Sequence, residues 1–296
     1  MLKIFTRKSD GKKMCLFSWV VFAFLVLLMA TFFAVYIWGL YTGFKSISEF
    51  NIEQNIVWFP HSPTFDNFIT VIQNFYVEVN GKIVFFEGMF LNSVLYACVS
   101  ALVQSFVQCF MAYLVAKFRY KFSSVLYWVV IVAMTIPIVG SDISMIQILQ
   151  GLNLYDTMVS MYIMKFSFLG TYFLVFYSTF RMLPDDYAEA AYIDGASELR
   201  VFVYIMIPMV ANMFFTIFLL NMIAYWNDYR APLLYIPSSP TLSYGIQYLS
   251  TTTLTEFSQT PVRLAACVIA IIPILIIFFL FRGKIMSKVA IGGVKE

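Results

Sequence analysis

Long uncharged stretches dominate the pattern of hydrophobic and polar positions along this chain of 296 residues. A helix that crosses the hydrocarbon core of a bilayer needs about 20 mostly apolar residues, and a charged side chain at its centre is costly. Six stretches meet these requirements, with at most one charged residue in each. They are residues 17–41, 90–115, 122–144, 158–180, 203–226 and 263–281. The pattern therefore predicts an all-α, polytopic membrane protein whose six transmembrane helices form one domain at 17–281.

The first and third stretches carry additional local signals. The uncharged run that contains the first stretch, residues 14–44, is longer than the core of a secretory signal. No small-residue cleavage site occurs between Tyr36 and Tyr41. We therefore expect a first helix that is retained. Pro137 and Gly140 interrupt the third stretch near its end, where they are expected to bend or stop a helix.

The amino-acid composition excludes several classes of protein. Hydrophobic residues make up 61% of the chain and charged residues 12%, whereas soluble domains average roughly 45–50% apolar and about 25% charged residues. Six spans leave no room for a large soluble domain, and no Walker A phosphate-binding loop occurs. Any ATP would therefore have to be used by another chain. The single histidine, His61, and four scattered cysteines predict neither a metal site nor a disulfide framework.

The positive charges are distributed unequally between the two sides of such a bundle. If the six spans alternate in direction, 14 of the 19 Lys and Arg residues fall on the side of the two termini. Cytoplasmic loops retain positive charge. We therefore expect the N-terminal tail 1–16, the loop 181–202 and the C-terminal tail 282–296 to be cytoplasmic. The expected localisation is a cell membrane that the chain crosses several times.

Two longer connections remain for the opposite side of the membrane, residues 42–88 and 232–262. In the first connection, Thr64 is the expected N-cap of a short amphipathic helix. The second is rich in Ser, Thr and Pro. We expect both connections to be functional, because loops of this length in a compact protein seldom lack a role, and a simple connector is the alternative.

The cytoplasmic loop 181–202 has a pattern unlike that of the other connections. Pro184 suits the first turn of a helix, the following alanines favour a helix of little bulk, and Gly195 permits a bend. Ser197 can cap a second short helix. A short helix that continues rigidly into the fifth span suits docking into a groove on a partner protein. A helix lying on the membrane surface is the alternative, but the five acidic residues of the loop favour a protein partner.

Three groups of residues in this region carry a resemblance to a known family. They are Glu189-Ala190-Ala191, then Asp194-Gly195-Ala196-Ser197, and finally Phe202, Ile205 and Pro208. This series closely resembles the EAA loop of ABC importer permeases, and the residues around Gly195 are similar to those of the carbohydrate branch. Asn92-Ser93 and Trp226-Asn227-Asp228 also resemble that branch. Over nearly its whole length the chain is similar to the second, six-span permease of maltose-type systems.

The resemblance implies a type I ABC importer permease fold in a bacterial inner or plasma membrane. The implied function is that of a pore subunit for uptake of a sugar or oligosaccharide, which is not an enzyme activity. The implied partners are a second permease in a heterodimer, two cytoplasmic ABC ATPase subunits and an extracytoplasmic solute-binding protein. ATP and magnesium would bind to the ATPase subunits, so this chain would hold no cofactor and no metal, and we expect no nucleic-acid partner.

The resemblance also implies which residues couple this chain to the ATPase. They are Glu189, Ala190, Ala191, Asp194, Gly195, Ala196, Ser197 and Pro208. By similarity, the helix around Glu189 would lie in a cleft of one ATPase subunit and contact a basic group there. Closure of the ATPase pair would then move the fourth and fifth spans as levers.

Polar and aromatic residues inside or beside the spans are candidates for contact with the sugar. They are Gln104, Gln108, Asn221, Trp226 and Asn227. Gln104 and Gln108 lie four residues apart on one helical face. This spacing suits either a polar pore lining or hydrogen bonds between helices, and we favour the second. Trp226 at the end of a span equally suits an anchor at the membrane interface.

The alternatives to an ABC sugar permease make different demands on the sequence. An ion-coupled secondary transporter predicts charges in the middle of spans and inverted repeats, and neither is visible. We place Asp142 and Lys165 near outer ends of spans and assign them no coupling role. A membrane enzyme would need a catalytic or metal-binding constellation, and none occurs. An ABC permease for a solute other than a sugar remains open.

Overall fold

The computed structural model describes residues 16–118, 120–136, 140–251 and 257–289, and the side chains of 16, 121, 251 and 282–289 lie outside this description. Within these ranges the fold is helical except for one hairpin, as predicted. The α-helices are α1 (Leu16–Thr42), α2 (Ile47–Asn51), α3 (Asp66–Asn74), α4 (Phe86–Lys117), α5 (Lys121–Thr135), α6 (Asp142–Gly151), α7 (Met158–Met164), α8 (Thr171–Met182), α9 (Asp186–Ile193), α10 (Glu198–Val201), α11 (Ile207–Trp226), α12 (Arg230–Tyr235), α13 (Leu242–Thr251) and α14 (Thr260–Val289). Phe202–Met206 forms a π-helical turn, and the hairpin strands are β1 (Tyr76–Val79) and β2 (Lys82–Phe85).

Four continuous helical stretches in the described residues are long and apolar enough to cross a membrane. They are Phe17–Thr42, Phe86–Lys117, Glu198–Trp226 and Thr260–Phe281. They coincide with the first, second, fifth and sixth spans that hydropathy predicts. We call the end of the bundle near Thr42 the outer end and the end near Lys117 the inner end, after the orientation that the charge pattern predicts.

The third and fourth predicted spans, 122–144 and 158–180, are not continuous helices. The helix α5 ends at Thr135, and Gly140 has a φ of +85° before α6 begins. Similarly, α7 ends at Met164, and Gly170 has a φ of +144° before α8 begins. These backbone conformations are incompatible with a right-handed helix. The break at Gly140 was expected, and Pro137, the other predicted breaker, lies outside the described residues. The break at Gly170 was not expected, and it corrects the prediction of one uninterrupted fourth helix.

The helix α4 is the centre of the bundle. Near its inner end, Cys109 and Ala112 belong to a buried apolar cluster with Phe173 and Phe176 of α8 and Ile217 of α11. Near its outer end, the same helix packs against α11, α13 and α14 in a second cluster. The helix α4 therefore contacts both the inner and the outer part of the bundle.

The outer end of the bundle is closed by the two predicted outer connections. In the first, α3 and the hairpin β1–β2 place Val71, Phe75 and Val77 fully buried against the bundle. In the second, α13 packs so closely that a Cβ on Gly245 would lie 2.6 Å from the Met89 sulfur. The second connection is therefore part of the apolar core near α4, and not only a polar loop reaching outward.

The expectation for Thr64 is wrong. The helix α3 begins at Asp66 with Phe65 in the N-cap position and no side-chain cap hydrogen bond. The backbone N–H of Thr64 instead donates to the carbonyl of Phe44 at 2.8 Å. Thr64 therefore helps to dock the connection onto the outer end of the first span.

The outer ends of α1 and α14 approach each other through small residues. A Cβ on Gly43 would lie 3.3 Å from backbone atoms of Ala265, and one on Gly39 would lie 3.7 Å from the Leu264 side chain. Glycines four residues apart permit such close approach of membrane helices. Elsewhere α1 is exposed on the surface of this chain.

Candidate functional site

The loop that sequence analysis singles out forms a sharp elbow between two helices at the inner end. The helix α9 ends at Ile193 with Asp194 as its C-cap, and Gly195 follows with a φ of +79°. The N–H of Ala196 donates to the carbonyl of Ala191 at 2.9 Å, and the N–H of Gly195 donates to that of Tyr192 at 3.0 Å. This pair of bonds is the Schellman motif, which satisfies the last carbonyls of a helix. The predicted bend at Gly195 is therefore present, with fixed geometry.

The two predicted helix starts in this loop differ in detail from the structure. Pro184 lies before Asp185, the N-cap of α9, and not in the first turn. Ser197 occupies the N-cap of α10 with a ψ of 157°, but its side chain makes no cap hydrogen bond. Its carbonyl accepts from the N–H of Val201 at 2.9 Å. Ser197 therefore starts the helix through its backbone conformation.

Pro208 explains an irregularity between the elbow and the fifth span. Proline has no N–H to donate and its ring crowds the carbonyl four residues earlier. The preceding turn, Phe202–Met206, widens to a π-helix, in which the N–H of Ile207 donates to the carbonyl of Phe202. Such single π-turns occur frequently at functional sites. The helical stretch from Glu198 to Trp226 nevertheless remains continuous, so the elbow is joined rigidly to the span.

The predicted coupling residues divide into an exposed face and a packed face. Ala188 is buried, and Ala191 and Ala196 are half-buried against the cluster formed by α4 and α8. The remaining candidates are exposed, and they are Glu189, Ala190, Asp194, Gly195, Ser197 and Pro208. The alanines therefore serve partly to seat α9 on this chain, while the acidic positions are directed to the surroundings.

Large apolar side chains beside the motif were missed in the sequence analysis. Ile193 is 87% exposed, and Tyr187 and Leu199 are also exposed. Apolar side chains exposed at the surface of a soluble region mark interaction sites. The sequence could have indicated them, because large apolar residues in a loop outside the predicted spans are not accounted for by contact with the membrane core.

A lysine at the end of α4 fixes the start of the elbow. The ammonium of Lys117 lies 2.6 Å from an oxygen of Asp185 and donates to the carbonyl of Leu183 at 2.7 Å. These partners are the N-cap of α9 and the C-cap of α8. The Lys117 side chain is only 11% exposed, whereas that of Asp185 is 53% exposed, so water reaches the carboxylate side of the contact. Three helices therefore meet at one ammonium group.

A cleft separates the inner end of α4 from α9. The volume of the cleft is ≈ 530 Å³. Its lining residues are Tyr113, Lys117, Phe118, Tyr120, Asp185, Ala188, Glu189 and Tyr192. Tyr113 and Tyr192 both line it. The cleft opens beside Glu189 and offers room for a side chain of another protein.

Two of the substrate-path candidates connect spans. The amide nitrogen of Asn221 donates to the Ser105 hydroxyl at 2.9 Å, and both residues are buried. The indole N–H of Trp226 donates to the carbonyl of Ala270 at 3.1 Å. These contacts bind α11 to α4 and to α14. Asn227 is exposed, and its amide donates back to the carbonyl of Ile223 in its own helix.

Gln104 and Gln108 have a different environment from Asn221. The amide oxygens of both glutamines and the Ser100 hydroxyl are buried with no hydrogen-bond partner within the described residues. The three lie four residues apart along α4. A Cβ on Gly170 would lie 3.2 Å from the Gln108 amide nitrogen, so this polar face meets the break between α7 and α8. The structure does not bring these glutamines together with Asn227.

A polar network lies at the outer end, where the broken spans meet α12. A carboxylate oxygen of Asp142 lies 2.5 Å from the guanidinium of Arg230, and the other accepts from the Tyr235 hydroxyl at 2.9 Å. Asp228 accepts from the Tyr96 hydroxyl at 2.9 Å.

Lys165 belongs to the same outer region. Its ammonium lies 4.4 Å from the centre of the Tyr225 ring, a distance typical of a cation–π contact. Asp142 and Lys165 are therefore both partnered within this chain. Within the described ranges no three His, Cys, Asp or Glu residues are grouped as a metal site would require.

Comparison with known proteins assigns this arrangement to a family. A sequence model described as "Binding-protein-dependent transport system inner membrane component" matches residues 108–290. The chain belongs to this family. The match includes the elbow, the π-turn with Pro208 and the fifth and sixth spans. It identifies the chain as a multi-pass membrane permease and not as a member of an enzyme family.

Curated permeases of this family are similar over most of their length. The sulfoquinovosyl glycerol transport system permease protein SmoH of Agrobacterium fabrum is 26% identical over 88% of this chain and 87% of its own. The diacetylchitobiose uptake system permease protein NgcG of Streptomyces coelicolor is 25% identical over 93% of this chain and 88% of its own.

A solved structure of a bacterial ABC transporter involved in import of the acidic polysaccharide alginate has the same fold. One of its chains superimposes with a TM-score of 0.72 at 19% identity, over 92% of this permease and 99% of that chain. The type I permease fold that the resemblance implied is thereby confirmed.

Proposed function

We propose that this permease is the transmembrane pore subunit of an ABC importer for a sugar or oligosaccharide. The observation that carries the proposal is the elbow around Gly195, which presents Glu189 and Ile193 to the surroundings while it is joined rigidly to the fifth span. The curated relatives, named for a sulfoquinovosyl glycerol system and a diacetylchitobiose system, support a glycoside or oligosaccharide as the solute.

The partners in this proposal follow from membership of the binding-protein-dependent transport family and from the residues that the chain exposes. A second permease completes the pore, two cytoplasmic ABC ATPase subunits bind ATP and magnesium, and an extracytoplasmic binding protein delivers the sugar. Both termini and the elbow lie in the cytoplasm. Glu189 contacts a basic group of one ATPase subunit, and the apolar side chain of Ile193 fills a groove beside it.

The buried polar face of α4 supports a role in the sugar pathway for Gln104 and Gln108. Unpaired amide oxygens in a membrane bundle are unfavourable, and opening of the bundle at the Gly170 break would expose them to hydroxyl groups. Asn221 and Trp226 have interhelical partners, which supports a structural role for them. Asn227 is the one exposed amide among the five candidates and stays a candidate for solute contact.

A charge reversal at Glu189 tests the proposed coupling. In the assembled transporter, Glu189→Lys places a positive group against the basic group of the ATPase, so we expect ATP hydrolysis to continue and sugar uptake to be lost. Glu78→Lys makes the same charge change at an exposed position of the outer hairpin and should leave uptake unchanged. Normal uptake in the Glu189→Lys transporter would refute the assignment.

The class of transporter is tested separately from the role of Glu189. Uptake of labelled oligosaccharides by vesicles with the purified partner subunits should stop with vanadate and persist with ionophores that abolish ion gradients. The opposite result would indicate an ion-coupled transporter. Vanadate-sensitive uptake of a solute other than a sugar would keep the ABC mechanism and replace the substrate.

A further inference from the structure

An exposed apolar segment lies beside the outer end of the first span. We name it the apolar tip, and it consists of Ile52 and residues 56–59. The side chains of Ile52, Val57, Trp58 and Phe59 are between 66% and 80% exposed. This concentration of large apolar side chains outside the spans is unfavourable in water, where each loses the gain from burial. Their environment is therefore expected to be something other than bulk water.

Hydrogen bonds place the apolar tip at the depth of the last turns of α1. The indole N–H of Trp38 donates to the carbonyl of Ile56 at 2.9 Å, and the Tyr41 hydroxyl donates to the carbonyl of Val57. The Phe59 ring lies 4.6 Å from the Tyr41 ring. Because α1 ends at Thr42, the tip runs back along the end of the span and does not project away from it.

Buried polar side chains hold the tip in this position. The Lys45 ammonium donates to the carbonyls of Asn55 and Ile56 at 2.7 and 3.1 Å. The Asn55 amide donates to Glu49 at 2.6 Å and to the carbonyl of Phe59 at 3.0 Å. Lys45 and Glu49 are almost completely buried. Two ionisable side chains are therefore buried where they hold the backbone of the tip. The apolar side chains of the tip itself remain exposed.

Charge is distributed around the tip as at a membrane interface. Glu53 and His61, at its two ends, are both exposed and lie 3.7 Å apart. Trp and Tyr are enriched where spans meet the headgroups, and interfacial segments combine a large apolar face with a charged one. Trp38 and Tyr41 at the end of α1 contact the tip that carries Trp58, so these aromatic residues lie near the same end of the span.

We propose that the apolar tip inserts into the headgroup and acyl boundary of the leaflet at the Thr42 end of the first span. Its apolar surface continues that of α1, which is exposed along its length. The tip then anchors the outer connection to lipid. The inference rests on the membrane location of the chain and is independent of the solute and of the ATPase partners.

Photo-crosslinking in the assembled transporter tests this contact. Benzoylphenylalanine replaces Trp58 in one variant and Glu53 in the control, and the complex is irradiated in vesicles of phosphatidylethanolamine and phosphatidylglycerol. We expect a phospholipid adduct at position 58 and little at position 53. An adduct at position 58 with a protein subunit or an added binding protein would overturn the proposal.

Water accessibility provides a second measurement that needs no crosslink. Trp58→Cys and Glu53→Cys are treated with a membrane-impermeant thiol reagent, and the parent chain gives the background from natural cysteines. Both side chains are exposed in the chain itself, so misfolding is not expected. We expect labelling at position 58 to be at least several-fold slower than at position 53. Equal rates would refute insertion into lipid.

Discussion

Gly195 sets the direction of the coupling surface at the scale of a single residue. Its φ of +79° is a conformation that costs other residues about 1–2 kcal/mol. No atom of the described chain lies within 4 Å of a Cβ at this position. A substitution there therefore acts through backbone strain and through contact with a partner, and not through a clash inside this chain.

Replacement of Gly195 separates these two effects. Asn adopts positive φ more readily than other residues, so Gly195→Asn should retain most transport. Gly195→Leu adds both strain and bulk, and we expect an inserted protein whose complex hydrolyses ATP without uptake. Uptake and ATPase rates of the reconstituted transporter are the measurement. Equal transport by the Leu and Asn variants would show that the docking surface tolerates bulk at the elbow.

Lys117 is the other residue on which the elbow depends. Its hydrogen bond to the Leu183 carbonyl measures 2.7 Å and is of a type worth about 1.5–3 kcal/mol. Its 2.6 Å contact with the half-exposed Asp185 is of a type worth about 0–1 kcal/mol. Lys117→Met should lower uptake per ATP hydrolysed, whereas Lys117→Arg should keep the ion pair and most coupling. An immunoblot of the membrane fraction distinguishes lost coupling from lost protein. A Met variant with normal uptake per ATP would remove this residue from the coupling path.

At the scale of whole elements, the packing of α1 depends on two glycines that hydropathy does not reveal. The helix is exposed along most of its length, and it approaches α14 closely near Gly39 and Gly43. The breaks in the third and fourth spans also depend on single glycines. A hydropathy window averages over Gly140 and Gly170, so it predicts a span where the backbone in fact turns.

Substitution of Gly43 tests the contact between α1 and α14. Gly43→Leu would place carbon within 3.3 Å of the Ala265 backbone, which cannot move aside as a flexible side chain can. Overpacking typically costs about 1–3 kcal/mol, so thermal unfolding in detergent should begin at a lower temperature. Gly39→Ala meets only the Leu264 side chain at 3.7 Å and should be neutral. Unchanged unfolding of the Leu variant would indicate that the two helices separate in the membrane.

The structure also changes an element-scale expectation about the second outer connection. Leu242, Tyr244 and Leu249 of α13 are buried in the cluster with α4 and α14. Removal of residues 243–261 would therefore expose an apolar core. Deletion of this loop is consequently a poor test of its contact with the binding protein, because the deletion would also disturb the packing of this chain.

At the scale of the whole molecule, the orientation and the number of passes remain predictions of the charge pattern. Six passes require the paired helices α5 and α6, and α7 and α8, to cross together with their breaks. Asn153, which lies between these pairs, would then be outside the cytoplasm, on the same side as Gly81. The elbow and both termini would be inside.

Reporter fusions test this topology. Alkaline phosphatase inserted after Gly81 or Asn153 should be active, because it folds outside the cytoplasm, and an insertion after Gly195 should be inactive. A fluorescent protein at the C-terminus should fluoresce. An inactive insertion after Asn153 together with an active one after Gly81 would show that the third and fourth segments do not cross, and would reduce the number of passes.

The sequence by itself determined the features that each segment decides locally. A membrane helix satisfies its own backbone hydrogen bonds, so uncharged length predicted four of the spans, and the elbow motif predicted the bend at Gly195. The family match confirms the permease identity that this motif implied.

Only the tertiary structure decided which distant groups meet. Asn221 and Ser105 are 116 residues apart in the chain, and nothing near either residue specifies the other. The same holds for Lys117 with Asp185, and for the burial of α13. Polar side chains in a bundle pair with whichever partner packing brings close, and packing is a property of the whole chain. The apolar tip of the outer connection is apolar in sequence, but only the contacts of Trp38 and Tyr41 place it beside the outer end of the first span.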